Sequence, residues 1–146
     1  SIEMIEAVGE KYLTHYFKTI KENLVSGGRG AIQAIVIKDE LYDRYKTKED
    51  FIQKYIFPGG FLPSLKFLNT LSIQSGLKIE DHKLYGHHYC STLQEWKKSF
   101  INSWDLISRQ GFGNNFKKMW YFYLSYCEAG FKSKNIDLIQ FSFCNK

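Results

Sequence analysis

The densest group of potential metal ligands lies near the middle of the chain and consists of His82, His87, His88 and Cys90. Zinc prefers histidine and cysteine, but a structural zinc site uses four ligands, usually from two separated pairs. The second pair is missing from this sequence. We therefore predict that the chain holds no metal ion.

Thiol chemistry is limited to three cysteines, at positions 90, 127 and 144, which form no Cys-x-x-Cys pair. An odd number of thiols argues against a disulfide framework, and this pattern favours a reducing, cytoplasmic compartment. The opening residues include Glu3 and Glu6 instead of a basic and then apolar stretch, so no signal peptide is predicted. Because the first residue is Ser1, we expect the sequence to begin inside a larger protein.

Four further side chains, far apart in sequence, have both a structural and a chemical interpretation. Glu6 could stabilise the start of a helix through the helix dipole, and Gln33 must find hydrogen-bond partners if its apolar segment is buried. Tyr89 could be a buried tyrosine with a satisfied hydroxyl, and Cys127 a small buried hydrophobic residue. No base lies near Cys127 in sequence, so we do not expect a nucleophile there.

The chain has 146 residues, of which 44% are hydrophobic and 17% aromatic, so it suits one folded domain and is too apolar for intrinsic disorder. Lysine supplies 17 of the 20 cationic residues behind the net charge of +5. Proteins that read nucleic-acid bases depend on arginine, so we expect no nucleic-acid partner. A lysine-rich, aromatic surface suits an anionic membrane face, and no apolar run approaches the length of a membrane span.

The first third of the chain predicts a helix followed by a strand. Apolar residues recur at helical spacing over 9–25, and Gly27 and Gly28 end that helix. The apolar, β-branched run 31–37 predicts a buried strand with a parallel neighbour.

The middle of the chain predicts two helices and a second strand. Thr47 is predicted to cap a helix that ends at Pro58, and Ser64 to cap another that Gly76 closes. Residues 77–85 alternate moderately, as in a strand.

The last third predicts two long helices and a final strand. Ser91 or Thr92 is expected to cap a helix that extends to Ile107, and the helix over 114–131 is apolar on nearly every face, so it is buried or meets an apolar partner. Alternation over 136–143 predicts the third strand. The order of elements indicates an α/β fold with a partly parallel sheet, as in the second half of a doubly wound domain whose first edge is left open.

Three blocks of the sequence resemble a known enzyme family in order and in spacing. They are residues 1–9, SIEMIEAVG, residues 55–64, YIFPGGFLPS, and residues 123–131, YLSYCEAGF. They are similar to cyclopropane-fatty-acyl-phospholipid synthases, a family that includes the mycolic acid cyclopropane synthases. The segment 24–32, LVSGGRGAI, also resembles the turn before the fifth strand of S-adenosylmethionine-dependent methyltransferases.

The resemblance covers residues 1–146 and implies a partial methyltransferase domain, the C-terminal half of a Rossmann-like class I methyltransferase fold with inserted lipid-binding helices. The family's N-terminal half, with its Gly-rich cofactor loop and its acidic ligand of the ribose, has no counterpart here. The glycines at 27–30 precede a strand, which is the wrong context for such a loop. We therefore expect the main S-adenosylmethionine site to lie in the missing half and the isolated chain to be inactive.

The resemblance implies that the enzyme adds a methylene bridge across the cis double bond of a phospholipid acyl chain. The methyl of S-adenosylmethionine attacks the double bond, and a bound bicarbonate removes a proton from the new methyl of the resulting carbocation. A sister lipid C-methyltransferase that makes branched chains is one alternative, and a non-catalytic module that binds a membrane or a partner is another. The resemblance also implies peripheral binding at the inner, cytoplasmic membrane face. It leaves open whether the protein forms a homodimer.

The family's site residues carry over by position. Bicarbonate needs donors for its oxygens and an acceptor for its hydroxyl. Many relatives have histidine where this chain has Gln33, and glutamine cannot become cationic, which lowers the expected affinity for the anion. The implied bicarbonate ligands are Glu6, Gln33, the main chain of Ile35, Tyr89 and Cys127. Of these, Glu6 and Cys127 match catalytic residues of the family. Ile2 matches a residue that contacts the cofactor.

Overall fold

The computed structural model describes every residue from Ser1 to Lys146. The chain forms two compact units. The first, called the sheet unit below, comprises Ser1–Tyr85 and Ile136–Lys146, and the second, the helical unit, comprises Gly86–Asn135. The combination of helices with one sheet confirms the predicted α/β class.

The sheet has three strands, β1 (Arg29–Ile37), β2 (Leu77–Leu84) and β3 (Ile136–Asn145), in the order β1-β3-β2. Both outer strands run antiparallel to β3. The expectation of a parallel neighbour for β1 is therefore wrong along the strand, and parallel pairing is limited to isolated bridges such as Ile2 with Gln33. A continuous apolar run indicates burial on both faces but does not specify the direction of the neighbouring strand.

The segment before β1 contains the helix predicted over 9–25, shortened to residues 13–22, and a short helix before it that was not predicted. The short helix α1 (Ile5–Val8) ends at Gly9, whose φ of 78° is a conformation that favours glycine. One 3₁₀ turn later, α2 spans Leu13–Glu22. Leu13 and Phe17 on its inner face are fully buried, which confirms the amphipathic stripe.

Helix α3 (Asp39–Thr47) was not predicted, because five of its nine residues are charged and its few apolar side chains are only partly buried. Thr47 is the last residue of α3, so its prediction as the cap of the next helix is wrong. That helix, α4 (Phe51–Tyr55), is capped by Asp50, whose carboxylate accepts from Gln53 N at 2.9 Å while Gln53 Oε1 accepts from Asp50 N at 3.0 Å.

Helix α5 (Leu65–Gln74) begins as predicted at Ser64, whose hydroxyl accepts a hydrogen bond from Phe67 N at 3.3 Å. The sheet unit has one hydrophobic core between the sheet and the helices of this unit. Its buried members are Ile5, Leu13, Phe17, Ile32, Ala34, Val36, Phe61, Leu68, Leu71, Leu77, Ile139, Phe141 and Phe143.

The helical unit consists of α6 (Gly86–Asn102), α7 (Trp104–Ser108) and α8 (Asn114–Lys132). Helix α6 begins earlier than predicted, so Ser91 and Thr92 lie inside it and neither caps it. The Thr92 hydroxyl donates to the His88 carbonyl at 3.5 Å, which is how threonine bonds within a helix.

Helices α6 and α8 pack against each other. Helix α8 is buried along one face only, because Leu124 and Phe131 are fully buried while Tyr121, Phe122 and Tyr126 expose 41–51% of their surface. Its apolar residues therefore form two faces, one packed and one open. None of the helices is both long enough and apolar enough to span a bilayer.

Candidate active site

The outer edge of β1 brings Glu6 to the strand backbone. Along this edge the N–H groups of Gln33 and Ile37 donate to the Ser1 and Pro63 carbonyls at 2.9 and 3.0 Å. Between them, Ile35 N donates to Glu6 Oε1 at 2.5 Å. A carboxylate oxygen therefore takes the place that a strand carbonyl would occupy, and two of the residues selected from the sequence are in direct contact.

A glycine loop after α4 supports the backbone of Glu6. Phe61 N donates to the Glu6 carbonyl at 2.9 Å, and Gln53 Nε2 donates to the Gly60 carbonyl at 3.1 Å. A Cβ at Gly60 would lie 2.9 Å from the Phe57 carbonyl oxygen, which is too close for any other residue. The loop at 57–61, part of a block that carries the family resemblance, is therefore shaped to hold α1.

The second carboxylate oxygen of Glu6, Oε2, is buried and has no hydrogen-bond partner. Burial raises the pKa of this carboxyl above its usual value, the Ile35 N–H and the backbone of Glu6 itself oppose the rise, and the negative charge of Glu3 adds to it. An acceptor of this kind binds a hydroxyl or an N–H that enters the site.

Gln33 takes part in a polar chain across the sheet. Its Nε2 donates to Glu3 Oε1 at 3.0 Å, and its Oε1 accepts from Gln140 Nε2 at 2.7 Å. The Gln33 side chain therefore has the hydrogen-bond partners that its structural interpretation requires. One hydrogen of its amide group remains for a ligand. Ile2, which bridges to Gln33 through the backbone, exposes 74% of its surface.

Sequence reasoning missed two polar groups of the sheet unit, the buried hydroxyls of Tyr16 and Tyr42. The hydroxyl of Tyr16, on α2, is buried without a hydrogen-bond partner. Burial raises the pKa of this phenol, the nearby Ser1 side chain opposes the rise, and the Glu6 carboxylate adds to it. The signal was present, because Tyr16 lies on the apolar stripe next to Phe17 and places a polar tip in the interior.

Tyr89 and Cys127 belong to the helical unit. Tyr89 lies in the first turn of α6, and its ring packs against Phe131 and Trp96 at centroid distances of 4.8 and 5.9 Å. Cys127, on α8, is partly buried and forms no disulfide bond.

The histidine-rich segment is helical and makes contacts of its own. The rings of His87 and His88 lie 3.8 Å apart, and Cys90 Sγ is within 3.8 Å of the Gly86 carbonyl. No group of three or more His, Cys, Asp or Glu side chains lies close enough together to hold a metal ion.

Comparison with known proteins places this arrangement in a family. The family model described as mycolic acid cyclopropane synthetase matches residues 1–141. The chain belongs to this family. The matched region contains all six site residues selected from the sequence, which span Ile2 to Cys127.

The members of the synthetase family most similar to this chain include two curated enzymes. The chain is 39% identical over 143 residues to tuberculostearic acid methyltransferase UfaA1 of Mycobacterium tuberculosis, covering 97% of this chain and 34% of the relative. It is 32% identical over 146 residues to cyclopropane-fatty-acyl-phospholipid synthase of Escherichia coli, covering 98% of this chain and 36% of the relative. The chain thus spans about a third of the length of each relative.

The fold agrees with a solved family structure. The cyclopropane synthase MmaA2 from Mycobacterium tuberculosis superposes with a TM-score of 0.86 at 22% identity, covering 99% of this chain and 53% of that one. The three-stranded sheet and its helices are therefore part of a class I methyltransferase fold, as the sequence predicted.

Proposed function

We propose that this chain forms part of an enzyme that transfers the methyl group of S-adenosylmethionine to the double bond of a lipid acyl chain, and that the product carries a cyclopropane ring. Family membership supports lipid methyl transfer. The observation that carries the proposal is the buried Glu6 carboxylate, of which one oxygen is held by Ile35 N–H while the other has no partner.

Ring closure requires a base beside an apolar substrate. A carbon–sulfur bond breaks as the methyl forms a bond with one alkene carbon, and the other alkene carbon becomes cationic. When a proton leaves the new methyl, the electron pair of that C–H bond closes the ring. S-adenosylmethionine supplies the methyl group and bicarbonate supplies the base when they are bound.

The residues of the sheet unit fit bicarbonate as a ligand. Glu6 Oε2 is an acceptor suited to the ligand's hydroxyl, and Ile35 N–H and the remaining amide hydrogen of Gln33 are donors suited to its charged oxygens. A fixed anion at this place would also stabilise the developing cation. For Tyr89 and Cys127 we propose the ligand roles that the family resemblance implies.

S-adenosylmethionine fits this chain only in part. Ile2, proposed to contact the cofactor, is exposed, and the sequence contains no Gly-rich loop between a strand and a helix. We therefore propose that these 146 residues alone do not methylate lipid.

A second product is favoured by a specific observation. The chain is more similar to a tuberculostearic acid methyltransferase than to the Escherichia coli cyclopropane synthase, at 39% against 32% identity. If a hydride first shifts from the methyl-bearing carbon to the cationic carbon, the electron pair left by the departing proton forms a C=CH2 branch instead of a ring. Both products need the same base, so the proposed roles of Glu6 and Ile35 serve either.

An anionic membrane is the proposed source of the substrate. Phe122 and Tyr126 expose 51% and 41% of their surface on α8, and Lys117 and Lys132 lie near its two ends. Each lysine near an anionic surface contributes about 1 kcal/mol of binding. Loss of vesicle binding at high salt would support this arrangement, and salt-independent binding would contradict the electrostatic part of it.

The test compares the product of the full reading frame that encodes this sequence with the 146-residue chain alone. Each is incubated with methyl-labelled S-adenosylmethionine and vesicles of unsaturated phospholipid. Label is expected in the lipid fraction only with the full product. Label with the short chain would contradict its proposed inactivity, and no label with the full product would contradict the proposed function.

A further inference from the structure

The amide group of Gln33 is held from both sides, and this fixes which of its atoms a ligand meets. Its Oε1 accepts from Gln140 Nε2 at 2.7 Å, and its Nε2 donates to Glu3 Oε1 at 3.0 Å. An ionised carboxylate only accepts hydrogen bonds, so Glu3 contacts the nitrogen of the amide and not its oxygen. The hydrogen of Nε2 that Glu3 does not use is therefore the group that Gln33 offers to an anion.

The main chain of Glu3 is also bound to Gln33. Glu3 N donates to the Gln33 carbonyl at 2.9 Å, and Gln33 N donates to the Ser1 carbonyl at the same distance. Glu3 has a φ of 48°, a left-handed conformation that costs free energy for a residue with a side chain and that clusters at functional sites. Backbone and side-chain bonds together thus hold the Glu3 carboxylate beside the Gln33 amide.

The distance from Glu3 to a ligand of Gln33 follows from the geometry of an amide. The two hydrogens of its NH2 group point about 120° apart, and each acceptor lies about 3 Å from the nitrogen. An anion oxygen on the second hydrogen would therefore lie about 5 Å from Glu3 Oε1. At this separation two unit charges of the same sign weaken binding about fourfold even in water.

We propose that Glu3 is a specificity-determining residue of the proposed bicarbonate site, and that its charge favours singly charged oxyanions such as bicarbonate over dianions such as sulfate. This inference rests on the proposed function and assigns a role to a residue that the family resemblance did not select. The charge of Glu3 also acts on the other side of the site, because it adds to the rise in the pKa of the Glu6 carboxyl that burial causes.

A purely structural role of Glu3 competes with this proposal. In that case the bonds among Glu3, Gln33 and Gln140 only hold residues 1–3 against β1. Loss of the carboxylate would then change the stability of the protein, or the binding of all anions by one common factor. A change that depends on the charge of the anion therefore separates the two roles.

The experiment measures the affinity for carbon-13 bicarbonate by NMR titration of the protein from the full reading frame, and the affinity for sulfate by competition with bicarbonate. Glu3→Gln removes the charge but keeps an oxygen that accepts from Gln33 Nε2. The affinity for bicarbonate should rise about fourfold and that for sulfate about sixteenfold, because the interaction energy is proportional to the charge of the ligand. Both gains should shrink at high ionic strength.

Two further variants serve as controls. Glu3→Asp keeps the charge and should preserve the wild-type ratio of the two affinities. Glu22→Gln removes an exposed carboxylate on α2 that pairs with Lys18, and both of its affinities should equal those of the wild type. Circular dichroism establishes that each variant is folded.

The outcomes separate the two levels of the proposal. A wild type that binds bicarbonate, with a Glu3→Gln variant in which both affinities change by the same factor or not at all, overturns the role of Glu3 and leaves the proposed function standing. Sulfate that competes with bicarbonate in neither protein also overturns it, because shape and not charge would then exclude the dianion. A wild type that does not bind bicarbonate overturns both.

Discussion

The backbone N–H of Ile35 donates to the Glu6 carboxylate at 2.5 Å, in the position where the edge of β1 would otherwise meet a strand carbonyl. The neighbouring outward N–H groups, of Gln33 and Ile37, bond to main-chain carbonyls. Unlike the carbonyl of a paired strand, the Glu6 side chain can rotate away and release the Ile35 N–H. The edge therefore offers a donor and an acceptor to one ligand.

Glu6→Gln should reduce methyl transfer by the full reading-frame product at least about 100-fold, as expected when the carboxylate that holds the bound base is lost. The amide oxygen still accepts from Ile35 N–H, so the fold should be retained. Glu10→Gln, at an exposed carboxylate four residues away, is the control and should remain active. Methyl transfer at the wild-type rate in Glu6→Gln would contradict the proposed role of this carboxylate.

The stability of the sheet unit should depend on pH through Glu6. Its pKa is raised by burial, so the folded state keeps this proton to a higher pH than the unfolded state does. The free energy of unfolding therefore falls as pH rises from the usual carboxyl value through the raised one. Glu6→Gln lacks this fall, so its stability relative to the wild type should increase as pH rises above the usual carboxyl value in denaturant titrations. A constant difference would contradict the raised pKa.

The helical unit should depend on one ion pair between α6 and α8. Lys97 Nζ lies 2.7 Å from Glu128 Oε2, and the two side chains expose only 21% and 16% of their surface. Glu128→Gln should lower the free energy of unfolding by roughly 1–3 kcal/mol. The exposed pair of Lys98 and Glu95, 2.6 Å apart, gives the control Glu95→Gln, which should cost less than about 0.5 kcal/mol. Equal effects of the two variants would contradict the importance of burial.

The same pair predicts a pH effect of opposite sign. The hydrogen bond from Lys97, then that from Gln94, lowers the pKa of Glu128. Its contribution is therefore fully present above the usual carboxyl value and is lost as pH falls through the lowered one. The stability difference between the wild type and Glu128→Gln should shrink on acidification.

Gly60→Ala should disturb the support of Glu6 by forcing a methyl group against the Phe57 carbonyl. Overpacking of this kind costs about 1–3 kcal/mol, which chemical denaturation would measure. Gly113→Ala is the control, because its new methyl meets open space and the expected cost is below about 1 kcal/mol. A Gly60→Ala protein as stable as the wild type would show that the loop adapts freely.

The sequence predicted those elements in which periodicity and end signals agree. The cap of α5 at Ser64 and the amphipathic stripe of α2 are of this kind. Helix α3 was missed because its many charged residues hide its apolar periodicity. Thr47 was mistaken for the cap of α4 because it stands three residues before Asp50, which is itself the cap. The direction of the neighbour of β1 depends on β3, which lies a hundred residues later in the chain and leaves no local signal.

For the site, the resemblance selected Glu6 and Ile35, which the structure brings into contact. It did not select Tyr16, because a tyrosine on an apolar stripe looks like a core residue until its hydroxyl is found without a partner. The bonds of Gln33 to Glu3 and Gln140 could not be predicted either, since they depend on the register of β1 against β3.

The central claim is that a base held near Glu6 removes a proton from the transferred methyl group. Bacteria that lack cyclopropane lipids, expressing the full reading frame and fed methionine with three deuterium atoms on its methyl, provide the direct measurement through mass spectrometry of their fatty acids. We expect a product that retains two of the three deuterium atoms, and far less of it with Glu6→Gln. A product that retains all three, or an equal yield from the variant, would contradict it.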